Sequence, residues 1–305
     1  MGAYNSDLIF DSDGLSIVIP CYNEEDSIEE FLNDLLFRLK ESSIKNFEII
    51  TINDFSKDNT LQELEKFKDK IAIYSNRRNS GYGATLKRGF LIAKYNTVAI
   101  TDADMTYPNE SLIDMYPDIA EYEMVVGART GENVNIPLIR RPAKWFIRFL
   151  ASTLIGETIP DLNSGLRIFR KKLLYKYFHL FPNRFSLTTT ITLACMANNH
   201  ESKFTPINYY KRRGKSSIHP IKDTLRFINI IFKVVMYYQP LKVFVPLAII
   251  FIILSTGIGI QNMVYGDKSM DITTILLFFL GVNFFGIGLI ADLINSRFNV
   301  SAKIE

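Results

Sequence analysis

Residues 15–40 read LSIVIPCYNEEDSIEEFLNDLLFRLK. Leu15–Pro20 is a short apolar run closed by proline and asparagine, which predicts a buried strand. From Asp26 to Lys40 the apolar side chains fall at Ile28, Phe31, Leu32, Leu35, Leu36 and Leu39. That spacing puts them on one face of a helix. Outward from this unit the same alternation continues. Phe47–Ile52, Ile71–Tyr74, Thr97–Thr101 and Met124–Ala128 read as strands, and Thr60–Phe67 and Gly81–Lys94 as helices. Strands separated by helices need crossover connections and imply an α/β fold with a mostly parallel sheet. Such sheets bind ligands beyond the carboxyl ends of their strands, so the polar residues just after each strand are the first place to look for chemistry.

The rest of the chain has a different character. Hydrophobic residues make up 48% of the 305, and mean hydropathy is +0.08. This excludes a disordered or collagen-like chain. It is also too low for a protein that lies mostly in the membrane. The average hides two segments: Val243 to Gly266 and Ile272 to Ala291 contain no charged residue. Each can cross a hydrocarbon layer of about 30 Å at about 1.5 Å per residue. Net charge is +3, but residues 203–242 carry nine basic and one acidic residue, directly before the first apolar run. Basic flanks favour the cytoplasmic side. The expected topology is a hairpin with the large domain and both termini in the cytoplasm.

Two helical segments, Arg140–Leu154 and Pro220–Tyr238, set wide apolar faces against basic stripes, a pattern suited to a membrane interface or to packing on a core. Cys21 and Cys195 are the only cysteines, which gives no disulfide framework and no zinc spacing. The first residues lack the basic-then-apolar pattern of a secretion signal. His179 and His219 carry no metal-ligand spacing, and Cys195 reads as core.

Four clusters follow the predicted strands. Asp102-Ala103-Asp104 comes straight after Thr97–Thr101. Two carboxylates at i and i+2 in a turn can share a hard divalent cation, whose shell phosphate oxygens and water complete. Pro20-Cys21-Tyr22-Asn23-Glu24-Glu25 offers an aromatic ring and a carboxylate, which suit a base and a ribose. Asn53-Asp54-Phe55-Ser56 is polar at the second strand's end. Asn79-Ser80-Gly81-Tyr82-Gly83 is a weak phosphate-loop lookalike, and its glycines read as turn and close-packing residues.

Taken together, SIVIPCYNEEDSI, INDFSKDNT, NSGYGATLKRGF, DADMTYP, VVGAR, DLNSGLRIFRK and YYKRRGKSSIHPI resemble the family 2 glycosyltransferases. The likeness is greatest to dolichyl- and polyprenyl-phosphate sugar synthases with a two-span C-terminal hairpin. The resemblance implies a GT-A fold, Rossmann-like and mostly parallel. Its domains would be a catalytic part over 1–219, an amphipathic juxtamembrane helix over 220–239 and a hairpin over 240–305, with spans near 243–265 and 272–294. This chain departs from the family pattern at four positions. Asn53 replaces an Asp, Phe55 a Gly and Thr106 a Gln, and Ser217 stands where Lys is common.

The resemblance also implies an inverting reaction that moves a sugar from a nucleotide diphosphate to a polyprenyl phosphate. Asp102 and Asp104 would hold Mg²⁺ or Mn²⁺, with Asp104 and Arg129 catalytic. Pro20, Tyr22, Glu24, Asp54, Asp102 and Ala103 would bind the nucleotide sugar. Arg129, Arg141, Ser164, Arg167, Arg212 and Lys215 would bind the acceptor phosphate. The expected partners are the donor, the lipid and the membrane, with no nucleic acid and with a homo-oligomer left open. A phosphate monoester has a second pKa of about 6, so this nucleophile needs positioning and cations rather than a strong base. Two alternatives stay open: a transferase with a hydroxyl acceptor, and an inactive subunit that binds nucleotide sugar.

Overall fold

The computed structural model describes residues 11–133, 141–184, 186–212, 220–265 and 272–304. Seven strands form one sheet in the order β3-β2-β1-β4-β6-β5-β7. They are β1 (Asp11–Cys21), β2 (Phe47–Asn53), β3 (Ala72–Ser75), β4 (Tyr95–Ile100), β5 (Met124–Ala128), β6 (Arg167–Arg170) and β7 (Ser202–Pro206). Strands β3, β2, β1 and β4 are mutually parallel, as the alternation of strand and helix predicts. Strand β6 runs antiparallel between β4 and β5, and β7 pairs parallel with β5 at the edge. The sequence reading missed both: each is only four or five residues long, and each carries polar or basic side chains.

Helices cover both faces. On one side α1 (Ile28–Glu41) buries Ile28, Phe31, Leu32, Leu35, Leu36 and Leu39 against the sheet, the face that the spacing predicts. The short helices α2 (Thr60–Glu65) and α4 (Asn109–Met115) share that layer. On the other side lie α3 (Tyr82–Ile92), α6 (Lys171–Lys176) and α7 (Leu187–Ala197). Gly89 of α3 rests on β1, where a Cβ would stand 2.2 Å from Val18 Cγ1. That close approach requires glycine. Every residue of α7 is buried, and Cys195 is core, as expected.

Helices α5 (Arg141–Ile155) and α8 (Pro220–Tyr238) pack on α7 and on each other. Ile147, Ala151, Ile231, Val234 and Val235 are buried between them. Their other faces expose Trp145, Phe146, Phe149, Leu225, Phe232 and Tyr237. The core-packing reading therefore holds for one face, and the other face is apolar and uncovered among the described residues.

Helices α9 (Leu241–Val264) and α10 (Ile272–Ile304) form an antiparallel hairpin. Windows of mean hydropathy 2.6 and 2.2 are only 11% and 17% buried. A soluble core helix would be mostly buried, so these are helices whose solvent is lipid. Glycines bring them close: a Cβ on Gly281 would stand 2.8 Å from Ile252, and one on Gly288 2.8 Å from Phe244. Small residues at such contacts are how helices associate in lipid. The hairpin is tied to the sheet domain. Gln239 donates to the Ala197 carbonyl, Asn295 to that of Tyr238 and Lys242 to that of Ile155. The loop between the spans, 266–271, and the juxtamembrane stretch 213–219 lie outside the described residues.

Candidate active site

Strand β1 lies between β2 and β4, so the segments that leave their carboxyl ends are neighbours. Those segments hold the predicted carboxylates. Glu24 is buried, and its backbone N–H is fixed by Thr60 Oγ1 at 2.9 Å. Asp102 accepts from the Tyr82 hydroxyl at 3.1 Å. Gly165 backs against it, and a Cβ there would stand 2.6 Å from Asp102 Oδ2. Gly165 is itself anchored by its N–H to the Tyr107 hydroxyl at 2.7 Å. The glycine of the DLNSGLR segment is thus required by the first carboxylate of DAD, 63 positions away in sequence. Asp104 is buried and accepts from Thr106 N at 3.2 Å and Thr106 Oγ1 at 2.6 Å. Thr106, one of the departures from the family pattern, therefore orients Asp104 with its hydroxyl.

One guanidinium joins this cluster. Arg212 donates to Glu24 Oε1, and its Nε lies 3.4 Å from Asp104 Oδ2, close enough for an ion pair but without hydrogen-bond geometry. Three carboxylates thus face one arginine. Burial, with the added repulsion of Asp104 and Asp102, pushes Glu24 up to about 7, although Arg212 opposes it. Burial and then Asp104 push Asp102 up to about 7. Burial thus raises two of the three acids, and a nearby cation would favour their ionised forms. Among the described residues, no group of three or more His, Cys, Asp or Glu is arranged to hold a metal alone. The donor set fits a hard cation that takes two carboxylates, Asp102 and Asp104, and completes its shell with phosphate oxygens and water.

Other predicted residues have different roles. Asp54 is buried, and its carboxylate accepts from Asn76 Nδ2, Ser80 N and Gly81 N at 2.7, 2.8 and 2.8 Å. It fixes the turn that starts α3, and through Tyr82 it supports Asp102; its oxygens are already committed rather than turned to a nucleoside. Pro20 and Tyr22 are half-buried at the end of β1, and Ala103 is buried.

Three residues predicted for the acceptor phosphate border the DAD turn but have protein partners of their own. Arg129 is clamped by Asp161, Nε to Oδ2 at 2.7 Å and a terminal nitrogen to Oδ1 at 2.8 Å, and also bonds Asn163 at 2.6 Å. Arg167 is completely buried in β6 and donates to the carbonyls of Ser164 and Leu162 and to Thr192 Oγ1. Ser164 is equally buried and donates to the Gly127 carbonyl. Arg167, which opens β6, is thus engaged on all three of its nitrogens inside the fold, while Arg129, just after β5, commits its Nε and one terminal nitrogen to Asp161 and Asn163. Lys215 and the side chain of Arg141 lie outside the described residues. The sequence reading also missed Tyr82, which it passed over between two glycines. The signal was a hydroxyl placed on the first turn of a helix that faces the DAD turn.

Comparison with known proteins places both parts of the chain. Residues 239–296 match the family described as GtrB C-terminal hairpin. A relative from Pseudomonas fluorescens, an undecaprenyl-phosphate 4-deoxy-4-formamido-L-arabinose transferase, is 28% identical over 93% of this chain and 86% of its own. A dolichyl-phosphate hexose transferase from Haloferax volcanii is 27% identical over 68% of this chain and 88% of its own. Among solved structures, glucosyl-3-phosphoglycerate synthase from Mycobacterium tuberculosis, in complex with Mn²⁺, UDP-glucose and phosphoglyceric acid, has a TM-score of 0.58. It is 16% identical, covering 73% of this chain and 80% of that one, and so shares the fold. Residues 16–178, from the first strand through both carboxylates of the DAD turn, match the family described as Glycosyl transferase family 2, and the chain belongs to that glycosyltransferase family.

Proposed function

We propose that this membrane protein transfers a sugar from a nucleoside diphosphate to the phosphate of a polyprenol, with inversion at the anomeric carbon. The observation that carries the reading is Arg212. It lies in the basic segment that leads into α8 and the hairpin, yet its guanidinium reaches Glu24 and Asp104 at the carboxyl ends of the central strands. A cation on the segment that precedes the hairpin in sequence would suit a lipid phosphate. The listing of undecaprenyl and dolichyl phosphates in the names of the relatives supports the same acceptor class.

In this reading Asp102 and Asp104 would hold a divalent cation, which would supply positive charge for the leaving diphosphate. Tyr82, Thr106 and Gly165 keep the two carboxylates in place. Arg212 exchanges its contact with Asp104 for the acceptor phosphate, which a guanidinium grips in bidentate fashion. That phosphate is largely dianionic near pH 7, so its oxygen attacks without a dedicated base. The hairpin and the exposed aromatic face of α5 and α8 hold the domain at the lipid surface, with the basic segment on the cytoplasmic side.

The test is a transfer assay on the purified full chain, using UDP- and GDP-sugars and undecaprenyl or dolichyl phosphate, with Mg²⁺, Mn²⁺ or chelator. Transfer to the phosphate and none to the free polyprenol is expected. Equal transfer to the free alcohol would favour the hydroxyl-acceptor reading, and a product of retained configuration would exclude single displacement.

A further inference from the structure

Phe55 occupies a backbone conformation that suits it badly. Its φ is 62°, in the left-handed region, where a bulky side chain crowds its own carbonyl. The residue is 50% exposed, so burial does not compensate. The surroundings impose this conformation. On one side Asp54 N donates to the Cys21 carbonyl at 2.8 Å, and its carboxylate is held by the Ser80 and Gly81 amides. On the other side Ser56 N donates to Asn53 Oδ1 at 3.0 Å, and Ser56 Oγ accepts from Asn23 N at 3.1 Å. Phe55 is the one residue between these fixed points, and the chain turns there through the left-handed region.

Its position in the fold is as informative as its strain. Five non-glycine residues with positive φ occur among the described residues. Asn23, Phe55 and Met105 follow the carboxyl ends of β1, β2 and β4, which are adjacent strands. Asn is a common left-handed residue and phenylalanine is not. Strain of this kind gathers at ligand sites, where the neighbouring structure enforces it. The β1 and β2 loops are also clasped, since Asn23 Oδ1 accepts from Lys57 N at 2.8 Å. Tyr22 precedes Asn23, and Cys21 is paired with Asn53. Two aromatic residues therefore stand on two joined loops at the end of one strand pair.

We infer that Phe55 is a contact for the donor's nucleobase, packing its exposed ring on the base that Tyr22 meets from the neighbouring loop. The inference rests on the reading that the donor nucleotide lies beyond β1 and β2. Aromatic rings hold bases by their π-faces, with little dependence on which base is present. Phe55 thus strengthens nucleoside diphosphate binding without choosing between uracil and guanine.

The test uses the full chain in detergent with Mn²⁺ and three probes, UDP, GDP and inorganic pyrophosphate, titrated by calorimetry. Phe55→Gly relieves the left-handed strain, and its melting temperature should not fall. It should weaken UDP and GDP about tenfold and leave pyrophosphate unchanged, while Phe55→Tyr keeps wild-type affinity. Phe55→Asn, which tolerates positive φ, serves as the second truncation and should behave like the glycine variant. Unchanged UDP and GDP affinity in the truncated variants would overturn the inference, as would an equal loss for pyrophosphate, because the ring would then act only through loop shape. Asp104→Asn separates the two readings. If it leaves all three probes unaffected, the donor site itself is misplaced. If it abolishes binding while Phe55→Gly does nothing, only the role of Phe55 fails.

Discussion

Two arginine–carboxylate groups lie within this domain and behave in opposite ways. Arg129 and Asp161 form a closed pair: the side chains are 8% and 7% exposed, two hydrogen bonds join them, and Asn163 and the Arg129 amide take up further donors and acceptors. Arg212 is 33% exposed and must serve both Glu24 and Asp104, with Asp102 nearby. One Arg212 nitrogen finds no hydrogen-bond partner, and two of the acids titrate near neutrality. A saturated buried pair holds a fold together. An unsaturated one, short of positive charge at the open end of a sheet, is prepared for something that arrives.

The largest effect should come from opening the closed pair. Asp161→Ala leaves the buried Arg129 uncompensated and should cost about 3–5 kcal/mol of stability, read as a large fall in melting temperature or as failure to fold. A variant that melts like wild type would erase the distinction between the two groups. Asp104→Asn should instead leave folding intact while transfer falls by roughly 10²–10³-fold; wild-type turnover would remove the metal role of the DAD turn.

Arg212→Ala comes next. It removes a partly exposed cation, so the melting temperature should move little. The loss of transfer, about tenfold or more, should appear mainly in the dependence on acceptor concentration. If donor binding alone were lost, Arg212 would belong to the nucleotide side.

The smallest effect concerns pH. Asp102 and Glu24 are raised to about 7 from ordinary values near 4. The folded state therefore holds their protons more tightly than the unfolded state. Their contribution to stability is complete below about pH 4 and is lost as pH rises through about 7. A divalent cation binds the ionised form and releases those protons. The gain in melting temperature on adding Mn²⁺ should thus be larger at pH 8 than at pH 5.5, by a few degrees. The reverse order would argue against Asp102 as a ligand.

Legibility followed the range of the forces involved. The α1 core face could be read because helical periodicity is local, and β1, β2 and β4 because continuous apolar runs bounded by polar turns mark buried strands. The DAD turn was legible because two carboxylates after such a strand are a local pattern. Strand β6 was not. Its four residues, Arg-Ile-Phe-Arg, show no strand signal, and only the gap between β4 and β5 makes them one. The burial of Arg167 was not legible for the same reason, since it depends on partners at Leu162 and Thr192 that the segment itself does not announce.

The sequence alone thus determined the α/β alternation, the two lipid-soluble helices, the basic segment before them and the carboxylate pair, because each is written in consecutive residues. Only the tertiary structure decided which charges are spent. Whether an arginine braces a core or waits in a cleft depends on how many acceptors reach it from distant strands, and that count is set when the sheet closes.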